Sequence, residues 1–80
     1  MEVKVLVFGR ARELAGSGSI AVHATDGATL ADVIALVKTQ HPAMAQLSAF
    51  STAINGQYAA IDTLLSAGDE VAIIPPVSGG

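Results

Sequence analysis

The sequence predicts an α+β domain in which a mixed sheet of four to five strands is covered on one face by one main helix. Three observations carry this. The stretches "VKVLVFG" (3–9) and "EVAII" (70–74) are the most apolar of the chain, which suits the central pair of a sheet. Only the segment 29–40 sustains a helical period. The other apolar runs are short and bounded by turn residues.

The elements follow in order. Residues 3–9 are rich in β-branched side chains and read as a strand buried on both faces, since both are mostly apolar. "RARELAG" is a helical turn or two, closed by Gly16. "SIAVHA" (19–24) is a second strand, reached through the loose "GSGS", and "TDGAT" is a turn. The main helix runs from Thr29 to about Gln40. Thr29 caps it, with Asp32 placed for a capping box. Leu30, Val33, Ile34 and Val37 form its apolar stripe. Pro42 stops this helix and is placed to start a shorter one through Met44 and Leu47. Asn55-Gly56 between apolar residues is a hairpin signal. Gly68-Asp69 is a turn before the last strand, 70–74. One helix over one mixed sheet, with first and last strands parallel at its centre, is the outline of a β-grasp, or ubiquitin-like, fold.

Composition narrows the function. The 80 residues make one small domain, divided here into a body at 1–74 and a flexible tail at 75–80. Hydrophobic residues are 51% of the chain and charged ones 14%, more apolar side chains than one small core hides, so an exposed apolar partner surface is expected. The net charge is −3 and the four Lys and Arg do not cluster, which argues against nucleic acid. The longest strongly apolar run, "VLVF", is far short of a membrane span. The sequence opens without a charged-then-apolar leader, so the expected location is the cytoplasm. With no cysteine, disulfides and thiolate nucleophiles are excluded, and any sulfur the chain handles is not held on a side-chain thiol.

No side-chain constellation suggests catalysis by the chain alone. Asp69 and Glu70 are adjacent and read as a solvated turn. His23 and His41 are far apart, without a metal-ligand spacing, and read as surface or edge residues. No Ser–His–Asp order with an elbow motif occurs, and no helix begins after Gly16 and Gly18 to make a phosphate loop.

The tail, "PPVSGG", holds the chemistry. Pro75 and Pro76 end strand pairing and keep the chain extended. Six extended residues reach about 20 Å. Val77 suits an apolar notch and Ser78 tolerates water; Gly79 and Gly80 carry no side chain and pass through a narrow channel. A terminal carboxylate is a poor electrophile. Conversion to an acyl adenylate gives it a good leaving group, which a sulfur or nitrogen nucleophile displaces. The plain alternative is a frayed end without a role.

Three stretches make the chain resemble the small subunit of molybdopterin synthase, the sulfur carrier of molybdenum-cofactor synthesis. "VKVLVFGRARELAG" (3–16) is similar to that family's first strand and Arg-Glu-Leu-Ala-Gly turn. "INGQYAAIDTLLSAGDEVAIIPPVSGG" (54–80) follows the family's Asn-Gly turn through to its Pro-Pro-Val-Ser-Gly-Gly ending. "DGATLADVIALV" (26–37) is a looser match. Leu64 departs from a common proline, and Ile73 and Ile74 from frequent aromatics.

The resemblance implies a carrier rather than a complete enzyme. Gly80 is adenylated by an E1-like partner that uses ATP, the chain itself binding no cofactor or metal. A sulfur-donor enzyme then converts Gly80 to a thiocarboxylate. The tail (Pro75, Pro76, Val77, Ser78 and Gly79) threads into the large subunit of a heterotetrameric synthase. Sulfur passes there to cyclic pyranopterin monophosphate, forming the molybdopterin dithiolene. Phe8 and Ile74 are candidate interface residues that suit the core equally well. Arg10 and Arg12 are candidates for pairing with partner acids or are simply solvated. Three rivals stay open: a thiamine-pathway sulfur carrier, a ubiquitin-like modifier joined through Gly80 to lysines, and a binding module with an inert tail. The free tail is expected to be mobile.

Overall fold

The computed structural model describes residues 1–76. Five strands form one sheet in the order β2-β1-β5-β3-β4. They are β1 (Glu2–Val7), β2 (Ser19–His23), β3 (Ser51–Ile54), β4 (Gln57–Tyr58) and β5 (Glu70–Ile74). β1 and β5 run parallel at the centre, with Val5 beside Val71 and Val7 beside Ile73, as their apolar sequences predict. The other pairs are antiparallel.

Strand alternation sorts the side chains. Val3, Val5 and Val7 of β1, Ile20 and Val22 of β2, and Val71 and Ile73 of β5 point to one face and are buried there. Helix α2 (Leu30–Gln40) lays Leu30, Val33, Ile34 and Val37 on them. Each such aliphatic side chain contributes about 1.5–3 kcal/mol of burial. The sequence expectation that residues 3–9 are buried on both faces is corrected. Glu2 and Lys4 are exposed and Leu6 is half-buried, because only one face of the sheet is covered. The cover is also more than one helix. A short helix α1 (Gly9–Ala15) buries Ala11, and a 3₁₀ turn (Pro42–Gln46) with Leu47 adds buried Met44 and Leu47 to the same core.

Local chemistry sets the ends of these elements. The first strand stops at Val7 rather than Gly9. Phe8 is still extended, Gly9 turns to a φ of 52°, and α1 begins there. Gly16 closes α1 in the left-handed region, its N–H donating to the Arg12 carbonyl at 2.9 Å. The start of α2 is fully capped. The Asp32 N–H donates to Thr29 Oγ1 at 3.3 Å and the Thr29 N–H to Asp32 Oδ2 at 2.9 Å, the reciprocal box read from sequence. The loop 59–65 supplies the rest: the N–H groups of Leu30 and Ala31 donate to the carbonyls of Thr63 (3.0 Å) and Ile61 (2.8 Å). This strap holds the loop by its backbone and leaves the side chains of Ile61 and Leu64 exposed.

Candidate functional site

The parallel β1–β5 pair decides where the tail starts. Both strands run in the same direction, so they end side by side. One step beyond the last pair, Val7–Ile73, lie Phe8 and Ile74. From there β1 turns into α1 while β5 continues into Pro75 and Pro76. Gly9 sits against this exit: a Cβ placed on it would lie 4.0 Å from Pro75 Cγ. Pro75 is half-buried and Pro76 exposed. The fold thus brings Phe8 to the distant segment Ile74, Pro75 and Pro76 at one end of the sheet. Val77, Ser78, Gly79 and Gly80, which carry the proposed chemistry, lie outside the described residues.

The other two candidates are less committed. Arg10 and Arg12 stand exposed on α1. Arg10 Nη1 lies 3.5 Å from Glu13 Oε2, one helical turn away, a surface pair of small energetic weight. Arg12 reaches toward the loop before β2, where a Cβ on Gly18 would lie 3.8 Å from its guanidinium.

The uncovered sheet face holds what sequence reasoning missed. Leu6, Ala72, Ala53 and Tyr58 stand in register across β1, β5, β3 and β4. With Phe8 and Ile74 they line an open groove of about 300 Å³. Tyr58 is 78% exposed and Phe8 47%, large apolar bodies that the core does not use. Phe8 and Ile74 are therefore on this outer face and not in the core. The missed signal was the alternation itself. Along residues 2–8, Val3, Val5 and Val7 form one wholly apolar set, while Leu6 and Phe8 share the other face with Glu2 and Lys4; that alternation marked the solvent side, and the apolar pair Leu6 and Phe8 obscured it.

One polar cluster borders the groove. Asn55, at a φ of 52°, donates from Nδ2 to Asp69 Oδ1 at 2.9 Å and accepts at Oδ1 from the Glu70 N–H at 2.9 Å. Asp69 Oδ2 accepts from the Ser66 N–H at 2.8 Å. The Ser66 N–H, and next the Asn55 amide, hold the Asp69 carboxyl below its usual range. Asp69 is thus a clamp between two turns, not the merely solvated turn residue read from sequence.

The sequence also matches a known family: the ThiS family model covers residues 5–80. The chain belongs to the ThiS family. Among its relatives, the molybdopterin synthase sulfur carrier subunit of Chlamydomonas reinhardtii is 40% identical over the full length of both chains. In structure, the ThiS-family chain is similar to SAMP1 from Haloferax volcanii, with a TM-score of 0.93, 30% identity and full coverage of both chains. It is also similar to a chain of the complex of subunits 1 and 2 of molybdopterin-converting factor from Helicobacter pylori 26695, with a TM-score of 0.72, 26% identity and full coverage of both. These likenesses establish the β-grasp fold and the kinship with molybdopterin synthase sulfur carriers.

Proposed function

We propose that this chain carries sulfur on the carboxylate of Gly80 for molybdopterin synthesis. In this reading an ATP-dependent partner joins AMP to the carboxylate and releases pyrophosphate. A persulfide on a donor enzyme attacks the acyl carbon and AMP leaves. A second thiol then cleaves the resulting acyl disulfide, and the thiocarboxylate remains. The tail enters the large synthase subunit, where the sulfur displaces oxygen functions on cyclic pyranopterin monophosphate, and hydrolysis returns the carboxylate. Two loaded carriers supply the two dithiolene sulfurs. The chain itself contributes docking and delivery, and it works in the cytoplasm with no bound cofactor.

The observation that carries this reading is the full-length match to a molybdopterin synthase sulfur carrier at 40% identity, with a family match that runs through Gly80. The exit of the tail beside an uncovered apolar face supports it, since a large subunit that grips this face receives the tail. The test is reconstitution with the large subunit, the sulfur-loading enzymes and the pterin precursor. A chain lacking Gly79 and Gly80 is expected to bind the large subunit yet yield no dithiolene. Dithiolene formation by the truncated chain would overturn the reading.

A second reading has its own support. SAMP1 of Haloferax volcanii, also described as small archaeal modifier protein 1, matches the fold closely. A modifier uses the same activated Gly80 but passes it to a lysine amine. Isopeptide conjugates ending in Gly80, in cells whose cofactor synthesis survives loss of the chain, would favour it.

A further inference from the structure

β2 is an outer strand of the sheet, and the chain itself covers only one of the three residues that face its free edge. The Ala24 N–H donates to the Met1 carbonyl and the Val7 N–H to the Gly18 carbonyl. Antiparallel alternation between these bonds turns the peptide groups of Ile20 and Val22 toward β1, and those of Ser19, Ala21 and His23 outward. Ser17 covers the first of the outward residues: its Oγ accepts from the Ser19 N–H at 3.3 Å and donates to the Ser19 carbonyl at 2.9 Å. Among the described residues, no hydrogen bond reaches the outward groups of Ala21 and His23.

A groove of about 360 Å³ lies beside this open stretch, between the end of β2 and α2. Ala24 and Ala28 form its buried floor, Leu36 is half-buried, and Asp32, Ala35 and Thr39 form the helical wall. Among the described residues, no Lys or Arg lines it. Three exposed carboxylates surround it: Asp32 within the groove, which accepts from the Thr29 N–H, Asp26, 4.0 Å from the N-terminal ammonium, and Glu2, 3.6 Å from the groove residue His23.

We propose that the β2 edge and this groove hold an extended segment of a partner protein. The segment adds as a sixth strand at Ala21 and His23. It sets an aliphatic side chain over Ala28 and Leu36, and a Lys or Arg two residues away beside Asp32. Residues two apart in a strand share a face, which places both side chains over the groove. Charge selects this occupant over a second copy of the chain, because pairing β2 with β2 brings two acidic rims together. The chain's own tail starts at the far end of β1, beside Phe8, whereas the groove lies at the Glu2 end. The edge therefore stays free while the tail is engaged, and the inference does not rest on the chemistry of Gly80.

The test is NMR titration of the full-length labelled chain with the capped peptide Val-Thr-Lys-Thr-Val. The Ala21 and His23 amides are expected to shift and gain protection from exchange, together with shifts at Leu36 and Thr39. Replacing the peptide's Lys by Glu is expected to weaken binding at least fivefold. Ala21→Pro removes an N–H that makes no bond within the chain, so the β1 ladder survives. This variant is expected to weaken binding at least tenfold. Ala35→Arg, at an exposed helical position, does the same by filling the groove and reversing its charge, and it serves if the proline variant fails to fold. Four results would each overturn the proposal: no shifts at millimolar peptide, shifts centred on Phe8 and Tyr58, equal binding of the Glu peptide, or sedimentation showing a dimer that Ala21→Pro dissociates.

Discussion

Asn55 and Asp69 lock two turns together across fourteen residues of sequence, with the Asn55 amide 2.9 Å from the Asp69 carboxylate. Asn55 sits in the hairpin between β3 and β4, and Asp69 in the turn that begins β5. The clamp therefore holds the hairpin that carries Tyr58 against the strand that feeds the tail. Its pH dependence follows from its donors. The folded-state pKa of Asp69 lies below the unfolded one, so the contribution is fully present above the unfolded value, near 3.8, and is lost as pH falls through the folded value. The Asp69→Asn variant is predicted to lose less stability between pH 6 and 2 than the parent chain, because this component is absent from it. The check is denaturant unfolding from pH 6 to 2 on both proteins.

Asn55 also bears a backbone demand. At a φ of 52°, alanine costs about 1 kcal/mol that glycine does not. Asn55→Ala is predicted to be less stable than Asn55→Gly by about that amount, although both lose the clamp. Equal midpoints in urea would show that the conformation is not strained.

The core stands on few large side chains. Leu30 is fully buried where α2 meets the sheet. Leu30→Ala is predicted to cost about 3 kcal/mol, a large share of the stability of so small a domain. Thermal unfolding followed by circular dichroism reads it.

The outer face predicts the opposite pattern. Phe8→Ser and Tyr58→Ser are expected to leave the melting temperature within a few degrees, because both side chains are exposed in the free chain. The same changes are expected to weaken binding to a synthase large subunit at least tenfold, or about 1.4 kcal/mol. Calorimetric titration separates these variants from Leu30→Ala, whose effect falls on stability.

Gly9 is predicted to govern the tail's exit. A side chain there meets both the positive φ and Pro75 at 4.0 Å. Gly9→Val is expected to destabilise the chain by about 1–2 kcal/mol and to shift the resonances of Pro75 and Pro76. Unchanged proline resonances would separate the tail from this contact.

The parts of this fold that were legible in sequence are those that local chemistry decides. Thr29 and Asp32 lie three residues apart and cap their own helix, and the stripe from Leu30 to Val37 names its buried side. Asn55-Gly56 makes its own turn. What escaped is what depends on distant partners. Leu6 and Phe8 look as buried as Val5 and Val7 until the helices choose one face of the sheet. The Asp69 clamp needs a turn fourteen residues away, and Tyr58 joins the outer face only through its register with Ala53. Within the candidate site, the Gly-Gly ending pointed to the proposed carrier role only together with the family resemblance, whereas the uncovered apolar face required the sheet.

The most direct test of the central claim uses a thiol-reactive label. The chain is co-expressed with its cell's adenylating and sulfur-donor enzymes, labelled, and mapped by intact mass and fragment spectra. With no cysteine in the chain, a label needs another sulfur nucleophile. The label also separates a thiocarboxylate from oxidation of Met1 or Met44, which adds nearly the same mass. The predicted result is a single label on Gly80. No label, with both enzymes active on a known carrier, would contradict the account and leave the modifier and the inert binding module to explain the fold.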